Sequence, residues 1–222
     1  MATSSPTEPL QLYWIASRPV FRYINTMLTR DGLHFIKGML RSPAYVGAIT
    51  PSSPGLAKVM LRGIDLTDGA SVLELGPGTG PITSEIQRIL ACPTRYLGIE
   101  RDPHFVRVLV ERFPAMRFVE GSAEAAVDHI HQAGLQNLRA IISGLPFASL
   151  PRVVQDRIID SMDRLMPPGS GVVFRTFQYL HALAMPGAVR FRRQMRRRFG
   201  ACRISRPIVL NLPPAVVLSW ER

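Results

Sequence analysis

Short apolar runs alternate with segments of helical periodicity along most of the chain. The apolar runs predict five strands, and positions spaced three or four apart between them predict helices. The strands are expected at residues 71–75, 96–100, 116–119, 139–143 and 171–177, and the helices at 82–90, 105–113, 123–132 and 151–165. Repeated strand–helix units of this length form a parallel sheet that is covered by helices on both faces.

The two ends of the chain depart from this alternation. A basic helix is predicted over residues 191–199, and the apolar runs 201–210 and 215–220 are separated by four residues, as in an antiparallel hairpin. Near the N-terminus, apolar residues recur at helical spacing from Arg18 to Leu40, with arginines among them. We expect a mostly parallel, seven-stranded α/β sheet with an antiparallel C-terminal hairpin and N-terminal amphipathic helices, divided into an extension (1–54) and a main domain (55–222).

The composition indicates a globular protein without a disulfide framework and with an anionic partner. The 222 residues are 46% hydrophobic, enough for a packed core, and two distant cysteines do not form a disulfide framework. The net charge of +11 favours an anionic partner, either nucleic acid or lipid headgroups. No secretion signal and no apolar run long enough to span a bilayer is visible, so a cytoplasmic protein is expected.

A glycine-rich turn follows the first predicted strand. The sequence Glu74-Leu75-Gly76-Pro77-Gly78-Thr79-Gly80 leads from a buried strand into a helix. Glycine allows tight turning and the close approach of a ligand. One strand later, Glu100 stands where a carboxylate can accept hydrogen bonds from ribose hydroxyls. A dinucleotide oxidoreductase uses similar parts, but its turn has the spacing Gly-x-Gly-x-x-Gly, which differs from the one here.

The fourth strand ends in Ser143-Gly144-Leu145-Pro146-Phe147. This position is at the carboxyl edge of the sheet, where open α/β sheets bind their ligands. Residues 143–147, called the acceptor turn below, are similar to the (Asn/Asp/Ser)-x-x-Pro-(Tyr/Phe) signature of enzymes that methylate amino nitrogen. The alternative interpretation is a strand that ends at a proline and is followed by a core phenylalanine.

The glycine turn resembles motif I of the class I methyltransferases, and the likeness extends through Glu100. It implies a Rossmann-like methyltransferase fold with S-adenosylmethionine as cofactor and S-adenosylhomocysteine as product. By this likeness, Glu74 serves the methionine end of the cofactor, and the stretch after the third strand holds the adenine. The cofactor-binding residues so implied are Ser52, Ser53, Glu74, Gly76, Pro77, Gly78, Thr79, Gly80, Glu100, Arg101, Gly121, Ser122, Ala123, Ser143 and Leu145.

Residues 38–53 and the region that follows resemble the bacterial phospholipid N-methyltransferases, which have a similar Val-Gly-Ala core and Pro-Ser-Ser turn. This resemblance implies stepwise methylation of phosphatidylethanolamine toward phosphatidylcholine. The alternative is an RNA adenine dimethyltransferase, which shares the glycine and acceptor turns but carries a separate helical C-terminal domain. We therefore expect a phospholipid enzyme and regard nucleic acid as the less favoured partner.

The chemistry adds requirements for the acceptor. Its nitrogen must be neutral and in line with the methyl group, so a base or desolvation must remove its proton. Tyr45, Tyr179 and His181 are candidate catalytic residues that could lower the proton affinity of the nitrogen, and the two tyrosines could also attract the methylated ammonium. Ser143 is the fourth candidate, because the likeness to the amine-methylating signature implies that it accepts a hydrogen bond from the amine. Arg41, Tyr45, Phe147, Arg175 and Tyr179 are the candidate substrate contacts, the arginines for the phosphodiester. No metal-ligand pattern is visible.

The membrane is the expected anionic partner. The basic amphipathic segment 18–40 has the composition of a helix that lies in a membrane interface, although a helix packed on the domain has the same pattern. A second basic element lies at residues 190–198. We expect a peripheral protein on the inner face of the cell membrane.

Overall fold

The computed structural model describes residues 53–67 and 69–222. The amphipathic segment 18–40 and the candidate residues Arg41, Tyr45 and Ser52 lie outside the described residues, as does most of the predicted extension 1–54. The described elements are α1 Pro54–Leu61, β1 Ser71–Leu75, α2 Pro81–Ile89, β2 Tyr96–Glu100, α3 Pro103–Arg112, β3 Arg117–Glu120, α4 Ala126–Gln132, β4 Leu138–Ser143, α5 Arg152–Leu165, β5 Val173–Tyr179, α6 Pro186–Phe199, β6 Arg203–Ile204 and β7 Ala215–Glu221.

Proline begins four of the helices. It is the first residue of α1, α2, α3 and α6, where its fixed φ suits the helix and its missing N–H removes no intrahelical bond. The same rule explains why α6 begins five residues before the predicted start at residue 191. The prolines thus mark where these four helices begin.

The seven strands form one sheet in the order β3-β2-β1-β4-β5-β7-β6. Strands β1 to β5 are parallel, and β7 lies antiparallel between β5 and β6. The predicted fold class is therefore confirmed. Because the strand order reverses at β1 and β4, the loops after these two strands diverge to opposite faces and leave a crevice at the carboxyl edge.

The predicted hairpin is shorter than expected. Its first arm pairs with β7 only at Arg203–Ile204, with a further hydrogen bond from Ser205 N to Val217 O at 2.9 Å. Pro207 has no N–H to continue the ladder. Residues 206–214 therefore leave the sheet as a loop, which touches β7 again at a bridge between Ile208 and Ala215.

Two hydrophobic layers cover the sheet. Helices α4, α5 and α6 pack on one face, where Phe147, Phe174, Phe191 and Trp220 form an aromatic cluster. Helices α1, α2 and α3 pack on the other face. Within residues 53–67 and 69–222, no helix combines the length and the apolar character that crossing a bilayer requires.

Arg175, a predicted substrate contact, attaches α1 to the sheet. It lies in the third position of β5, and its guanidinium donates to the carbonyls of Met60 at 3.1 Å and Arg62 at 2.7 Å, and to Ser219 Oγ at 3.2 Å. Burial lowers its pKa. These bonds satisfy carbonyls at the end of α1 that have no intrahelical donor. A phosphate contact by Arg175 would require them to break.

We expect Arg175→Met to lower the free energy of unfolding by about 1–3 kcal/mol, because the helix carbonyls lose their charged donor. Urea denaturation measures this loss, and Arg196→Met, which changes an exposed arginine on α6, is the matched control. An Arg175→Met protein with unchanged stability and weakened lipid binding would instead support the phosphate contact predicted from the sequence.

Candidate active site

The turn after β1 contains three glycines with positive φ. Gly76, Gly78 and Gly80 have φ of 68°, 57° and 82°, values that other residues rarely adopt. A Cβ would lie 2.7 Å from Leu145 Cδ2 at Gly76 and 2.5 Å from Phe113 Cε2 at Gly80. At Gly78, by contrast, a Cβ would meet no described atom within 4 Å. Gly76 and Gly80 therefore allow close packing, whereas Gly78 presents bare backbone to an open space.

Neighbouring elements hold this glycine turn in place. Gly76 N donates to Ile99 O and Gly80 N donates to Pro77 O, both at 2.9 Å. Arg112, the last residue of α3, donates to Thr79 O at 2.9 Å. This contact could not be predicted from the sequence, because a basic residue in the last turn of a helix is common for other reasons. The turn is thus a fixed feature of the fold.

Glu74 lies under the glycine turn with no exposure to solvent. Its Oε2 accepts hydrogen bonds from Tyr96 OH at 2.7 Å and Thr83 Oγ1 at 2.8 Å. Its Oε1 has no hydrogen-bond partner among the described residues. Burial raises the pKa of Glu74 to about 7, although the two hydrogen bonds act in the opposite direction. The side chain therefore has a free acceptor and titrates near neutral pH.

Tyr96 and Thr83 are functional candidates that the sequence reasoning missed. Tyr96 begins β2 opposite Val72, and its ring extends along the sheet to reach Glu74. Gly98 makes this possible, since a Cβ there would lie 2.7 Å from Tyr96 OH. A tyrosine two residues before a glycine in a strand, one strand away from a buried carboxylate, is the sequence signal that could have revealed the pair.

Glu100 is placed as predicted, at the end of β2 beside the glycine turn. Its Oε2 accepts from Gly78 N at 2.9 Å, and its Oε1 accepts from Arg101 N at 2.8 Å and Asp102 N at 3.0 Å. A carboxylate offers about four acceptor positions, so about one remains for a ligand hydroxyl. Arg101 contributes its backbone N–H here, and its side chain is exposed.

The predicted adenine stretch follows β3 next to Glu100. Gly121 N donates to Glu100 O at 2.9 Å, and a Cβ on Gly121 would overlap the ring of His129. The side chain of Ser122 is engaged in its own turn, where its Oγ donates to Glu124 Oε2 at 3.0 Å and accepts from Glu124 N at 3.3 Å. Ala123 is buried. The stretch thus lies beside Glu100 at the same edge of the sheet.

The acceptor turn packs directly on the glycine turn. Gly144 N donates to Leu75 O at 2.9 Å, and a Cβ on Gly144 would lie 2.6 Å from Gly76 O. Ser143, at the end of β4, is buried and its Oγ accepts from Leu145 N at 3.2 Å. The two sequence motifs, separated by over sixty residues, are therefore in contact in the fold.

Phe147 has a different position from the one predicted. Its ring is 1% exposed and stacks on Phe191 with centroids 4.0 Å apart, so it presents no face to an acceptor. The hydrogen bond from Phe147 N to Leu145 O at 2.9 Å marks the sharp bend at Pro146 after which the ring enters the core. The alternative interpretation, a core phenylalanine after a proline-terminated strand, describes this conformation.

Tyr179 and His181 come together at the end of β5. Their rings stack with centroids 5.7 Å apart and an interplanar angle of 9°. Desolvation raises the pKa of Tyr179 and lowers that of His181, so both side chains are neutral at pH 7.

Ser53 lies at the start of α1, where its Oγ accepts from Leu56 N at 3.2 Å and caps the helix. Its backbone N donates to Asn211 Oδ1 at 2.9 Å.

Comparison with known proteins identifies the family. No family model matches the chain. The chain is 31% identical over 142 residues to an ornithine lipid N-methyltransferase from Singulisphaera acidiphila, a match that covers 63% of this chain and 74% of that protein. The chain belongs to the ornithine lipid N-methyltransferase family. A chloroplast ribosomal RNA small subunit methyltransferase from Arabidopsis thaliana is 33% identical over 93 residues, 41% of this chain and 26% of that protein.

Solved structures agree on the fold. An O-methyltransferase from Bacillus cereus in complex with S-adenosylhomocysteine superposes with a TM-score of 0.61 at 13% identity, covering 92% of this chain and 97% of that chain. A precorrin-6y C5,15-methyltransferase from Geobacter metallireducens gives 0.51 at 16% identity, over 75% and 87% of the two chains. The family and the fold together make the chain an S-adenosylmethionine-dependent methyltransferase.

The residues of this methyltransferase fit that cofactor. The unpartnered Oε1 of Glu74 suits the ammonium group of the methionine part, and the open side of Gly78 leaves space for a ligand against the backbone. The remaining acceptor position of Glu100 suits a ribose hydroxyl. Glu74, Gly78 and Glu100 would therefore hold the cofactor along the carboxyl edge of β1 and β2.

We expect the affinity for S-adenosylhomocysteine to rise as the pH increases toward and through about 7, because an ionised Glu74 attracts the ligand's ammonium group. In Glu74→Gln the affinity is expected to be about tenfold weaker and nearly independent of pH over the same range. Calorimetric titration at several pH values measures both effects, with Glu85→Gln as the control, because Glu85 is a partly buried carboxylate on α2 that pairs with Arg88.

The stability of the ligand-free protein provides a second check on Glu74. A carboxyl whose pKa is raised by folding stabilises the native state below its unfolded pKa, and this contribution is lost as the pH rises through the folded value of about 7. Wild-type protein should therefore lose stability relative to Glu74→Gln as the pH rises from about 4.5 to 7. The reverse trend would contradict a raised pKa.

Tyr96→Phe is expected to weaken the binding of S-adenosylmethionine about tenfold and to shift the pH midpoint of binding upward, because Glu74 loses a donor that stabilises its ionised form. Thr83→Ser, which keeps the second hydroxyl, should remain close to wild type. An unchanged pH midpoint in Tyr96→Phe would show that the tyrosine does not position Glu74.

Proposed function

We propose that this protein transfers methyl groups from S-adenosylmethionine to the primary amine of phosphatidylethanolamine at a membrane surface, stepwise toward phosphatidylcholine. The observation that carries the proposal is the direct contact between the glycine turn and the acceptor turn, at Gly76 and Gly144. It brings a cofactor motif and an amine-methylation motif to one point on the carboxyl edge. The lipid N-methyltransferase relative supports an amine lipid as the acceptor.

The transfer requires a neutral nitrogen aligned with the methyl carbon and the sulfur. When bound, S-adenosylmethionine supplies the electrophilic methyl group. The residues of the chain have to place the amine and remove its proton. Ser143 is positioned at the point where the two turns meet, and His181, whose pKa is lowered by desolvation, is a neutral imidazole that could accept a proton. Tyr45 lies outside the described residues and keeps its sequence-based role as a candidate.

The product of each step carries a more methylated ammonium. The stacked Tyr179 and His181 offer an aromatic surface at the end of β5 that would attract this cation. A cation–π contact of this kind contributes about 0.5–2 kcal/mol, depending on desolvation. Such a surface explains how one site could retain mono- and dimethylated intermediates long enough for another cycle.

Basic residues support the use of an anionic membrane. On α6, Arg193, Arg196 and Arg197 are exposed, whereas Arg190 donates to Gln155 at 3.2 Å and Arg192 donates to Gln178 at 2.5 Å. The exposed arginines could attract anionic lipids by about 1 kcal/mol per charge near the surface. The segment 18–40 is the second proposed membrane element, by its sequence pattern.

The test measures the transfer of labelled methyl from S-adenosylmethionine to four separate acceptors. These are phosphatidylethanolamine vesicles with an anionic lipid, ornithine lipid vesicles, RNA and free ethanolamine. We expect label in phosphatidylethanolamine, and less label when the chain lacks residues 1–34. Glu74→Gln protein serves as the weakly active control. Label in ornithine lipid alone would show that the acceptor is ornithine lipid instead of phosphatidylethanolamine, and the proposal of a lipid substrate would still stand. Labelled RNA with inert lipid would overturn the proposal and favour the function of the ribosomal RNA relative.

A further inference from the structure

The loop 206–214 exposes large apolar side chains to solvent. Leu210 is 88% exposed, Leu212 48% and Val209 44%. Exposed apolar residues that occur singly are common on protein surfaces, but three within four positions of one loop form a patch. The loop follows the short strand β6, whose Ile204 is 60% exposed as well.

This patch is presented by a well-fixed loop. Asn211 is 1% exposed at its centre, and its side chain accepts from Ser53 N at 2.9 Å and donates to Pro213 O at 2.7 Å. Ile208 N donates to Ala215 O at 2.8 Å. The buried asparagine holds the loop to the fold while its neighbours on both sides face outward. The loop is therefore organised before anything binds to it.

The loop lies at the edge of the sheet where the cofactor and acceptor turns are found. Residue Tyr179, the last of β5, pairs with Ala215, the first of β7, and Leu180 N donates to Pro214 O at 2.9 Å. Because β7 runs antiparallel to β5, the segment that precedes β7 emerges at the carboxyl ends of the parallel strands. The exposed leucines are thus carried on the same edge as the stacked Tyr179 and His181.

The charges around the patch indicate what it contacts. Arg206 is exposed within the loop, and Arg203, which precedes the loop, is exposed and pairs with Glu221 at 3.6 Å. The sequence from Arg203 to Pro214 contains no acidic residue. Apolar side chains flanked by arginines match a bilayer interface, in which leucines enter the acyl region and guanidinium groups pair with anionic headgroups. A protein partner of opposite charge would have to offer an apolar surface ringed by carboxylates.

We propose that the loop 206–214 is a membrane-contacting element that inserts Leu210 and Leu212 into an anionic lipid surface and places the acceptor turn over the headgroups. This inference rests on the proposed function, since a lipid amine is the acceptor that such a placement serves. It is separate from the segment 18–40, because every residue that carries it belongs to the described part of the chain, which begins at Ser53. Ser53, through which the preceding residues join the described fold, bonds to this loop.

A fluorescent label reports the contact without any methyl transfer. In full-length protein with Cys92→Ser and Cys202→Ser, an environment-sensitive label is attached at Leu210→Cys. Vesicles of phosphatidylethanolamine and phosphatidylglycerol should shift its emission to the blue, and spin-labelled lipids should quench it. The matched control is Val110→Cys, since Val110 is 49% exposed at the end of α3, toward the opposite edge of the sheet. Its label should not respond.

A second variant measures the consequence for binding. Leu210→Glu with Leu212→Glu should weaken vesicle binding at least about tenfold, because two apolar contacts become carboxylates facing an anionic surface. Affinity for S-adenosylhomocysteine should stay unchanged. Val110→Glu should bind vesicles as the wild type does.

The outcomes separate this inference from the proposed function. Lipid methylation with an unresponsive label at residue 210 would overturn the loop contact and leave the proposed function intact. A responsive label with methylation of RNA alone would overturn the proposed function and leave the membrane contact intact. A blue shift that grows with protein concentration in the absence of vesicles would overturn the contact by showing that a second copy covers the loop.

Discussion

Backbone packs directly on backbone where β1 and β4 end side by side. Gly144 N donates to Leu75 O, and the Cα of Gly144 approaches Gly76 O so closely that a side chain at residue 144 would collide with it. A larger residue at position 144 would force the two turns apart, and one at position 76 would have to adopt a φ of 68°, which side chains rarely allow. Since these turns carry the motifs that we propose for the cofactor and the acceptor, this contact would set the geometry of the proposed methyl transfer.

The carboxylate below the glycine turn is closed to solvent. Glu74 is fully buried, and burial alone would disfavour its charge. Tyr96 and Thr83 oppose this effect with two hydrogen bonds to one oxygen, and the other oxygen lacks a partner among the described residues. A half-satisfied buried carboxylate costs stability in the free protein. A cationic group of a bound cofactor would supply the missing partner, so the cost is offset when the site is filled.

The carboxyl edge brings together residues from distant parts of the chain. Glu100, Ser143 and Tyr179 end three different strands, and the loop 206–214 reaches this edge because β7 enters the sheet in the reverse direction. One edge thus holds the cofactor residues, the acceptor turn and the exposed apolar patch. An enzyme whose substrate is anchored in a bilayer needs such an arrangement, because the headgroup cannot leave the surface to reach a site elsewhere.

Local pattern and spacing in the sequence determined the strands, the helices, the glycine turn and the place of Glu100, since each depends on residues near one another in the chain. The first arm of the hairpin is short because Pro207 cannot donate a hydrogen bond to β7. A hydrophobic run alone does not show where such pairing ends. The likeness to the amine-methylating signature placed Phe147 at the substrate, and the charge of Arg175 suggested a contact with the phosphodiester. Tertiary structure gave both residues other partners, the core ring of Phe191 and the end of α1. Tyr96 reaches Glu74 only because two strands pair in a register that brings Gly98 beside it. Pairing of this kind depends on contacts across the whole sheet, and for that reason only the folded chain could decide it.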